Sequence, residues 1–266
     1  MAASKPKADR KAQFGTQSLE RAFGLLRAVA SQTGGARLSE LAASQGLNTP
    51  TARRILLALV REGFVEQGED SRQYFIGPEA FVVGTLASKR FGIQSVAQES
   101  LIRLADKSQD TVFLSVPVGM YCACLQRVEG TFPIRSHVLQ AGDRHPLGVG
   151  AGGLAILSAM SDYAVERSIE ANAPLMVGRY QNFTPEVLYG LVREVRTRGF
   201  AVNRGLLVSD SWGVGVAVVD ESGTPVGALS IAAIGARLNE ERLQELGHLL
   251  KSECATVARH LHGTER

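Results

Sequence analysis

Gly46-Leu47-Asn48-Thr49-Pro50-Thr51-Ala52-Arg53-Arg54-Ile55-Leu56-Leu57-Ala58-Leu59-Val60-Arg61-Glu62-Gly63 is the stretch that decides the fold of the first third of the chain. Thr49 is expected to cap a helix and Pro50 to take its first position, where a missing N–H is no loss. Ala52, Ile55, Leu56, Leu59 and Val60 form one apolar stripe. At about 100° per residue, Arg54 and Arg61 fall opposite that stripe, with Thr51 and Arg53 on its flanks. Gly63 ends the helix.

Working upstream, Ser39 to Gln45 reads as a short helix with Glu40 near its positive end and Gly46 placed for a left-handed C-terminus. Before it, Leu19, Phe23, Leu26 and Ala30 recur at helical spacing behind Ser18 as cap, and Gly34-Gly35 stops the run. Residues 1–15, rich in Lys, Ala, Ser and Pro without apolar period, are expected to be a disordered tail. Downstream, Phe64-Val65-Glu66 and Arg72-Gln73-Tyr74-Phe75-Ile76 flank the polar turn Gly68-Glu69-Asp70-Ser71, a hairpin pattern. Three helices and a hairpin make residues 16–77 a winged helix-turn-helix, with Arg72 as the cation nearest the wing tip.

The charge distribution agrees. Up to Gly77 there are 11 Lys/Arg against 7 Asp/Glu, and beyond it 18 against 19, so the basic excess lies in the winged-helix part. That asymmetry points to a polyanion there and to another task for the remainder. At 266 residues, 45% apolar and 21% charged, the chain is long enough for two domains and too ordinary in composition for wholesale disorder. No apolar run approaches the roughly 18 residues of a membrane span, so a cytoplasmic protein without a membrane partner is expected. Three cysteines give no even disulfide framework.

From residue 78 the pattern turns helical, broken near Gly92, and residues 78–94 are expected to be a helical linker. Residues 95–266 then follow as one α+β domain. Strand-like runs occur at Thr111 to Val118, Tyr121 to Val128, Pro133 to Leu139, Phe200 to Asn203, Val214 to Val219 and Val226 to Ile234. Helical runs lie between them and at the end.

Within that domain, Gly148-Val149-Gly150-Ala151-Gly152-Gly153 satisfies GxGxxG. Yet Asp143-Arg144-His145-Pro146 before it does not read as a buried strand, and no βαβ unit follows, so a dinucleotide site is rejected. What remains is a glycine-rich loop entering a helix, whose free N–H groups can face an anion. No GxSxG elbow, HExxH or paired CxxC occurs, and Cys122-Ala123-Cys124 has poor spacing for a tetrahedral metal. No cofactor, metal or catalytic residue is therefore expected. Arg135, His137 and His145 are candidate partners for a ligand charge, and Trp212 is either a core plug or a stacking wall.

These residues resemble a known family. Gln17-Ser18-Leu19-Glu20-Arg21-Ala22, Leu38-Ser39-Glu40-Leu41-Ala42, Thr49 to Leu56 and Gly63-Phe64-Val65 are similar to the DNA-binding half of IclR-type bacterial transcription regulators. Pro146-Leu147 with Gly150 to Gly153, Arg198 to Asn203 and Val226 to Ile231 resemble that family's effector domain. The resemblance implies a homodimer or dimer of dimers whose winged helices bind a palindromic DNA operator and whose GAF-like domain senses a small molecule. Carried over by position, ligand contacts fall on Ala151, Gly152, Gly153, Asn203, Gly213, Ser230 and Ala232. Asn203 replaces an acidic residue, Gly213 a cysteine and Ala232 a serine, which implies a larger and less polar effector, such as an aromatic carboxylate.

The expected function is thus sequence-specific, effector-controlled DNA binding. Thr49, Thr51, Arg53, Arg54 and Arg61 on the third helix and Arg72 on the wing would contact the duplex. One alternative is an enzyme acting on a small metabolite, with the winged helix as a protein-docking module. Another is a nucleoid protein, against which the near-neutral second part argues.

Overall fold

A computed structural model describes the backbone of residues 8–32, 34–88, 92–134 and 139–263, with side chains described from residue 16 to residue 261 except at residue 88. The chain divides into two compact units, residues 1–90 and 91–266.

The first unit opens with α1 (Ala8–Ala30), which starts ten residues before Ser18. Ser18 is therefore interior rather than a cap, and the tail expected over residues 1–15 meets a helix from Ala8 onward. Ala, Lys, Arg and Gln between positions 8 and 13 are good helix formers, and the helix runs on through the single Gly15. Leu25 and Val29 are the fully buried positions of α1, while Leu19 and Phe23 are exposed. Next, α2 (Leu38–Ser44) is held at its start by the Arg37 N–H, which donates to Glu40 Oε2 at 2.9 Å. A left-handed Gly46 (φ +60°) then turns the chain into α3 (Thr49–Arg61).

The cap of α3 is Asn48, not Thr49: its Oδ1 accepts from the Thr51 N–H at 2.9 Å, and Thr49 and Pro50 occupy the first turn. A carboxamide reaching the third amide competes well with a threonine hydroxyl for this role. Ala52 and Leu56 are wholly buried beneath α3. β1 (Val65–Gln67) and β2 (Tyr74–Ile76) form the antiparallel wing, with Val65 opposite Ile76, and Ala36 bridges to Tyr74 as a short third strand. Two glycines let the wing close on α3. Gly63 adopts φ +75°, and a Cβ at Gly77 would lie 2.2 Å from the Gly63 carbonyl oxygen. α4 (Pro78–Ser88) ends the unit.

The second unit begins at α5 (Ile93–Ser108), followed by β3 (Thr111–Val118), β4 (Tyr121–Val128) and β5 (Arg144–Pro146). Then come α6 (Gly150–Ala159), α7 (Asp162–Met176), α8 (Pro185–Arg198), β6 (Ala201–Arg204), β7 (Ser211–Val219), β8 (Pro225–Ile234), a single 3-10 turn and α9 (Glu240–Gly263). The strands form one antiparallel sheet in the order β5-β4-β3-β8-β7-β6. Arg144–Pro146 is thus an edge strand with His145 and Pro146 buried, contrary to expectation. It pairs antiparallel with β4, which upholds the rejection of a βαβ dinucleotide fold. The strand expected over Pro133 to Leu139 is not formed at its described positions, and residues 135–138 lie outside the described residues.

Period-two alternation splits the sheet residues between two cores. Leu229, Ile231 and Ala233 of β8 pack with α5 and α9, whereas Ala228 joins the cluster built on α6, α7 and α8. Ser230 and Ala232 share the α6 side with Ala228. Directly across β7, Gly215 is opposite Ser230 and Gly213 opposite Ala232, so this patch of the sheet carries small side chains only. Its smallness lets the start of α6 settle on the strands: a Cβ on Gly215 would come within 2.5 Å of the Ala151 carbonyl oxygen. The architecture is α+β with a GAF-like second unit.

Candidate functional site

In the first unit the exposed face of α3 and the wing enclose an open groove lined by Leu38, Arg53, Leu57, Gln67, Arg72 and Tyr74, with Gly68 and Glu69 at its rim. Arg53 and Leu57 are four residues apart, hence on one helix face. Arg72 adopts φ +53° in the wing turn, and its N–H donates to the Gly68 carbonyl at 3.1 Å. Arg53, Arg54 and Arg72 are exposed and have no ion-pair partner among the described residues. Arg61 differs: its Nε lies 3.1 Å from Glu62 Oε1, which offsets its charge. Thr49 is exposed, while Thr51 is half-buried with its N–H bound to the cap. Arg54 and Arg61 share a face two turns apart, about 10 Å along the axis. The expected cations therefore divide into Arg53 with Arg72 across one groove and Arg54 with Arg61 beside it.

The second unit contains a cavity between the concave α6 side of the sheet and the first turn of α6. Its open volume is about 50 Å³. Seven of the nine expected effector residues line it: Ala151, Gly152, Gly153, Asn203, Gly213, Ser230 and Ala232. The other two, Arg135 and His137, lie outside the described residues. Val149 takes the N-cap position of α6 and has no side-chain oxygen to offer the amides of the first turn. A Cβ on Gly152 would approach Ser230 Oγ to 3.3 Å and Ser115 Oγ to 3.4 Å, so two hydroxyls face the backbone where those amides begin. Amides at the positive end of a helix beside two hydroxyls form a cradle for an anionic oxygen.

Two substitutions expected to enlarge this space act otherwise. Gly213 gives up its Cβ to Ala151, whose own Cβ would lie 3.1 Å from it, so the missing side chain admits α6 rather than opening a void. Asn203 spends its Oδ1 on the Leu206 N–H at 3.1 Å, tying down the β6–β7 loop. Trp212 serves partly as a wall: it lines the cavity under the Arg204 guanidinium, 5.6 Å from the ring centroid.

Residues not singled out for this role complete the lining. Phe113 and Ser115 come from β3 and are cross-strand neighbours of the β8 small-residue patch. Cys122 and Cys124 also line the cavity, but burial pushes their thiols up to about 12 and about 11, so they remain protonated and poorly nucleophilic. His145, one of three candidate charge partners, is only 5% exposed. Burial, reinforced by the positive charge of Arg179, lowers its pKa to about 4, so the ring is neutral at physiological pH. Its value in an unfolded chain is near 6.5. Between those values the unfolded state binds a proton that the folded state refuses, so the contribution of His145 to stability is flat above pH 6.5 and falls as pH drops toward 4. The loss is about 3 kcal/mol. Urea unfolding of wild type and His145→Phe at pH 7.5 and pH 4.5 should show the larger acid loss in the wild type; equal losses would refute it. Among the described residues no group of three His, Cys, Asp or Glu could hold a metal ion, and no helix is long and apolar enough to cross a membrane.

A winged helix-turn-helix with unpaired arginines, carried on the same chain as a GAF-like unit with a small-molecule cavity, defines a ligand-responsive DNA-binding regulator. Family comparison gives the particular lineage. The C-terminal domain of the bacterial transcriptional regulator IclR matches residues 85–259, and the IclR helix-turn-helix domain matches residues 18–69. The chain belongs to the IclR family. The acetate operon repressor of Salmonella typhimurium is 26% identical over 250 residues, covering 93% of this chain and 91% of the relative. The HTH-type transcriptional repressor AllR of Escherichia coli K12 is 26% identical over 253 residues, with the same coverage of 93% and 91%. An IclR homologue from Microbacterium hydrocarbonoxydans, crystallised with 4-hydroxybenzoate, shares the fold at a TM-score of 0.75. It is 20% identical, over 92% of this chain and 99% of that one. The protein is a transcriptional regulator; the enzyme alternative fails because the family and these relatives are regulators.

Proposed function

We propose that the protein is a homodimeric, cytoplasmic regulator that binds a palindromic operator through α3 and releases or tightens its hold when a small aromatic carboxylate enters the cavity beside α6. The observation that carries the effector part is the meeting of first-turn α6 amides with the Ser115 and Ser230 hydroxyls inside a largely apolar cavity. Such a pocket suits a ligand with one anionic end and an apolar body. The homologue crystallised with 4-hydroxybenzoate lends the same chemistry as an analogue.

On the DNA side, α3 enters the major groove. Thr49 and Thr51 reach phosphate or base edges, Arg53 and Arg54 reach guanine or phosphate, and Arg61, tied to Glu62, contributes least. Arg72 meets the backbone from the wing. A non-glycine residue at positive φ costs on the order of 1 kcal/mol, which favours a role for this side chain at the tip. Exposed Leu19 and Phe23 on α1 and Phe81 and Leu86 on α4 supply apolar surface for pairing two chains, alone or as a dimer of dimers. Effector binding then shifts the population between dimer geometries that match or mismatch the half-site spacing.

Thermal unfolding of the full-length protein with millimolar benzoate or 4-hydroxybenzoate tests the effector reading. Ligand at about 100 times Kd adds about 2.7 kcal/mol and raises Tm. No shift with either compound would exclude the aromatic carboxylate.

A further inference from the structure

His145 stands apart from the cavity's other polar groups. Its ring is 95% removed from solvent, since only 5% remains exposed, and it belongs to β5, the outermost strand on the side of the sheet away from Asn203. One ring nitrogen is engaged: Nδ1 lies 2.9 Å from the Tyr180 hydroxyl, with the rings edge-on at 88° and centroids 5.7 Å apart. The other, Nε2, is buried and has no hydrogen-bond partner among the described residues. Buried polar atoms are rarely left so, and one on a residue lining the cavity is placed to meet a ligand. Across the strand pair His145 is opposite Cys122, whose thiol stays protonated, so no neighbouring thiolate competes for the imidazole.

We infer that His145 Nε2, oriented by Tyr180, is a specificity determinant that reads a neutral hydroxyl on the effector, at a point separate from the carboxylate cradle of α6. A hydroxyl fits because it can donate or accept. It therefore pairs with Nε2 in either arrangement of the Nδ1–Tyr180 hydrogen bond. A second anion does not fit. The buried ring is neutral, and a carboxylate there would be desolvated beside it, with the negative charge of Asp143 also acting at this point. Along the sheet, β5 lies two strands from β3 and its Ser115, about 10 Å before curvature, which separates this point from the cradle by roughly the reach of a hydroxybenzoate with its hydrogen bonds. The effector class is thus a monocarboxylate with a hydroxyl on its body, favoured over the unsubstituted acid and over dicarboxylates. This rests on the cavity being the effector site.

Calorimetry on the full-length protein with benzoate, 3-hydroxybenzoate, 4-hydroxybenzoate and benzene-1,4-dicarboxylate tests it. One hydroxybenzoate is expected to bind about tenfold or more tighter than benzoate, with the dicarboxylate weakest, as one buried hydrogen bond implies. In His145→Phe the hydroxyl preference should fall to within about twofold while benzoate still binds. His145→Gln should restore part of it, and Tyr180→Phe should weaken the preference without changing benzoate affinity. A hydroxyl preference that survives His145→Phe, or a wild type that does not distinguish hydroxybenzoate from benzoate, overturns the assignment while leaving the effector site intact. Failure of all four acids to bind removes the aromatic-carboxylate reading and this inference with it. Should His145→Phe not fold, His145→Gln and Tyr180→Phe decide the question by the same comparison.

Discussion

Alanine at Arg53 or at Arg54 is expected to weaken operator binding by about 10- to 100-fold each, the loss of one good groove or phosphate contact. Both side chains are exposed and off the apolar stripe, so folding and Tm should not change. The two losses should differ in kind. A residue on phosphate weakens all sequences alike and lowers the salt slope by about 1; a residue on a base edge weakens the operator more than random DNA. Arg53 shares its groove with Arg72, so Arg53→Ala and Arg72→Ala should act together rather than independently. Arg61→Ala serves as the internal control, with a smaller effect because Glu62 already neutralises it. Anisotropy titrations with operator and scrambled duplexes at several salt concentrations measure all of these, and unchanged affinity in both Arg53→Ala and Arg54→Ala would remove α3 from the interface.

The second large effect is expected in the cavity. Gly213→Leu places a branched side chain where even a Cβ would meet the Ala151 Cβ at 3.1 Å. The chain must either fill the cavity or push the first turn of α6 from the strands, and either outcome spoils the anion cradle. Effector binding should drop by about 100-fold or more, as for overpacking that costs a few kcal/mol. Operator affinity without effector should remain within about twofold, since Arg53, Arg54 and Arg72, proposed to meet the duplex, belong to the other compact unit. Ser230→Ala is milder, removing one hydroxyl and about tenfold in affinity. Calorimetry with the tightest benzoate and anisotropy without it separate the two properties; full effector affinity in Gly213→Leu would misplace the site.

Local chemistry explains why some of this was legible in the sequence. Capping, proline placement and a 3.6-residue stripe act within a few residues, so α3, Gly46, Gly63 and the wing turn could be read directly. Where two local candidates compete, geometry decides: Asn48 won the cap over Thr49 because its oxygen reaches the Thr51 amide. The buried stripe of α1 moved from Leu19 and Phe23 to Leu25 and Val29, because tertiary contacts choose among overlapping apolar positions.

The cavity was legible only in part. Its glycine loop and Ser230 carried a family pattern, whereas Phe113 and Ser115 are ordinary strand residues until the β3–β8 register brings them to the same wall. Tyr180 could not have been chosen at all, since nothing in its neighbourhood signals that its hydroxyl meets a histidine 35 residues away. Gly213 was informative in the wrong sense: absence of a side chain reads as space, but the start of α6 occupies it.

Regulation by this protein requires that α3 read sequence in a duplex. The most direct test is the affinity of the full-length protein for DNA from upstream of its own gene against a scrambled duplex of equal length and composition, at physiological salt. A preference of about a thousandfold or more is predicted, lost when Arg53 and Arg54 are both alanine. Equal affinity for the two duplexes would contradict it.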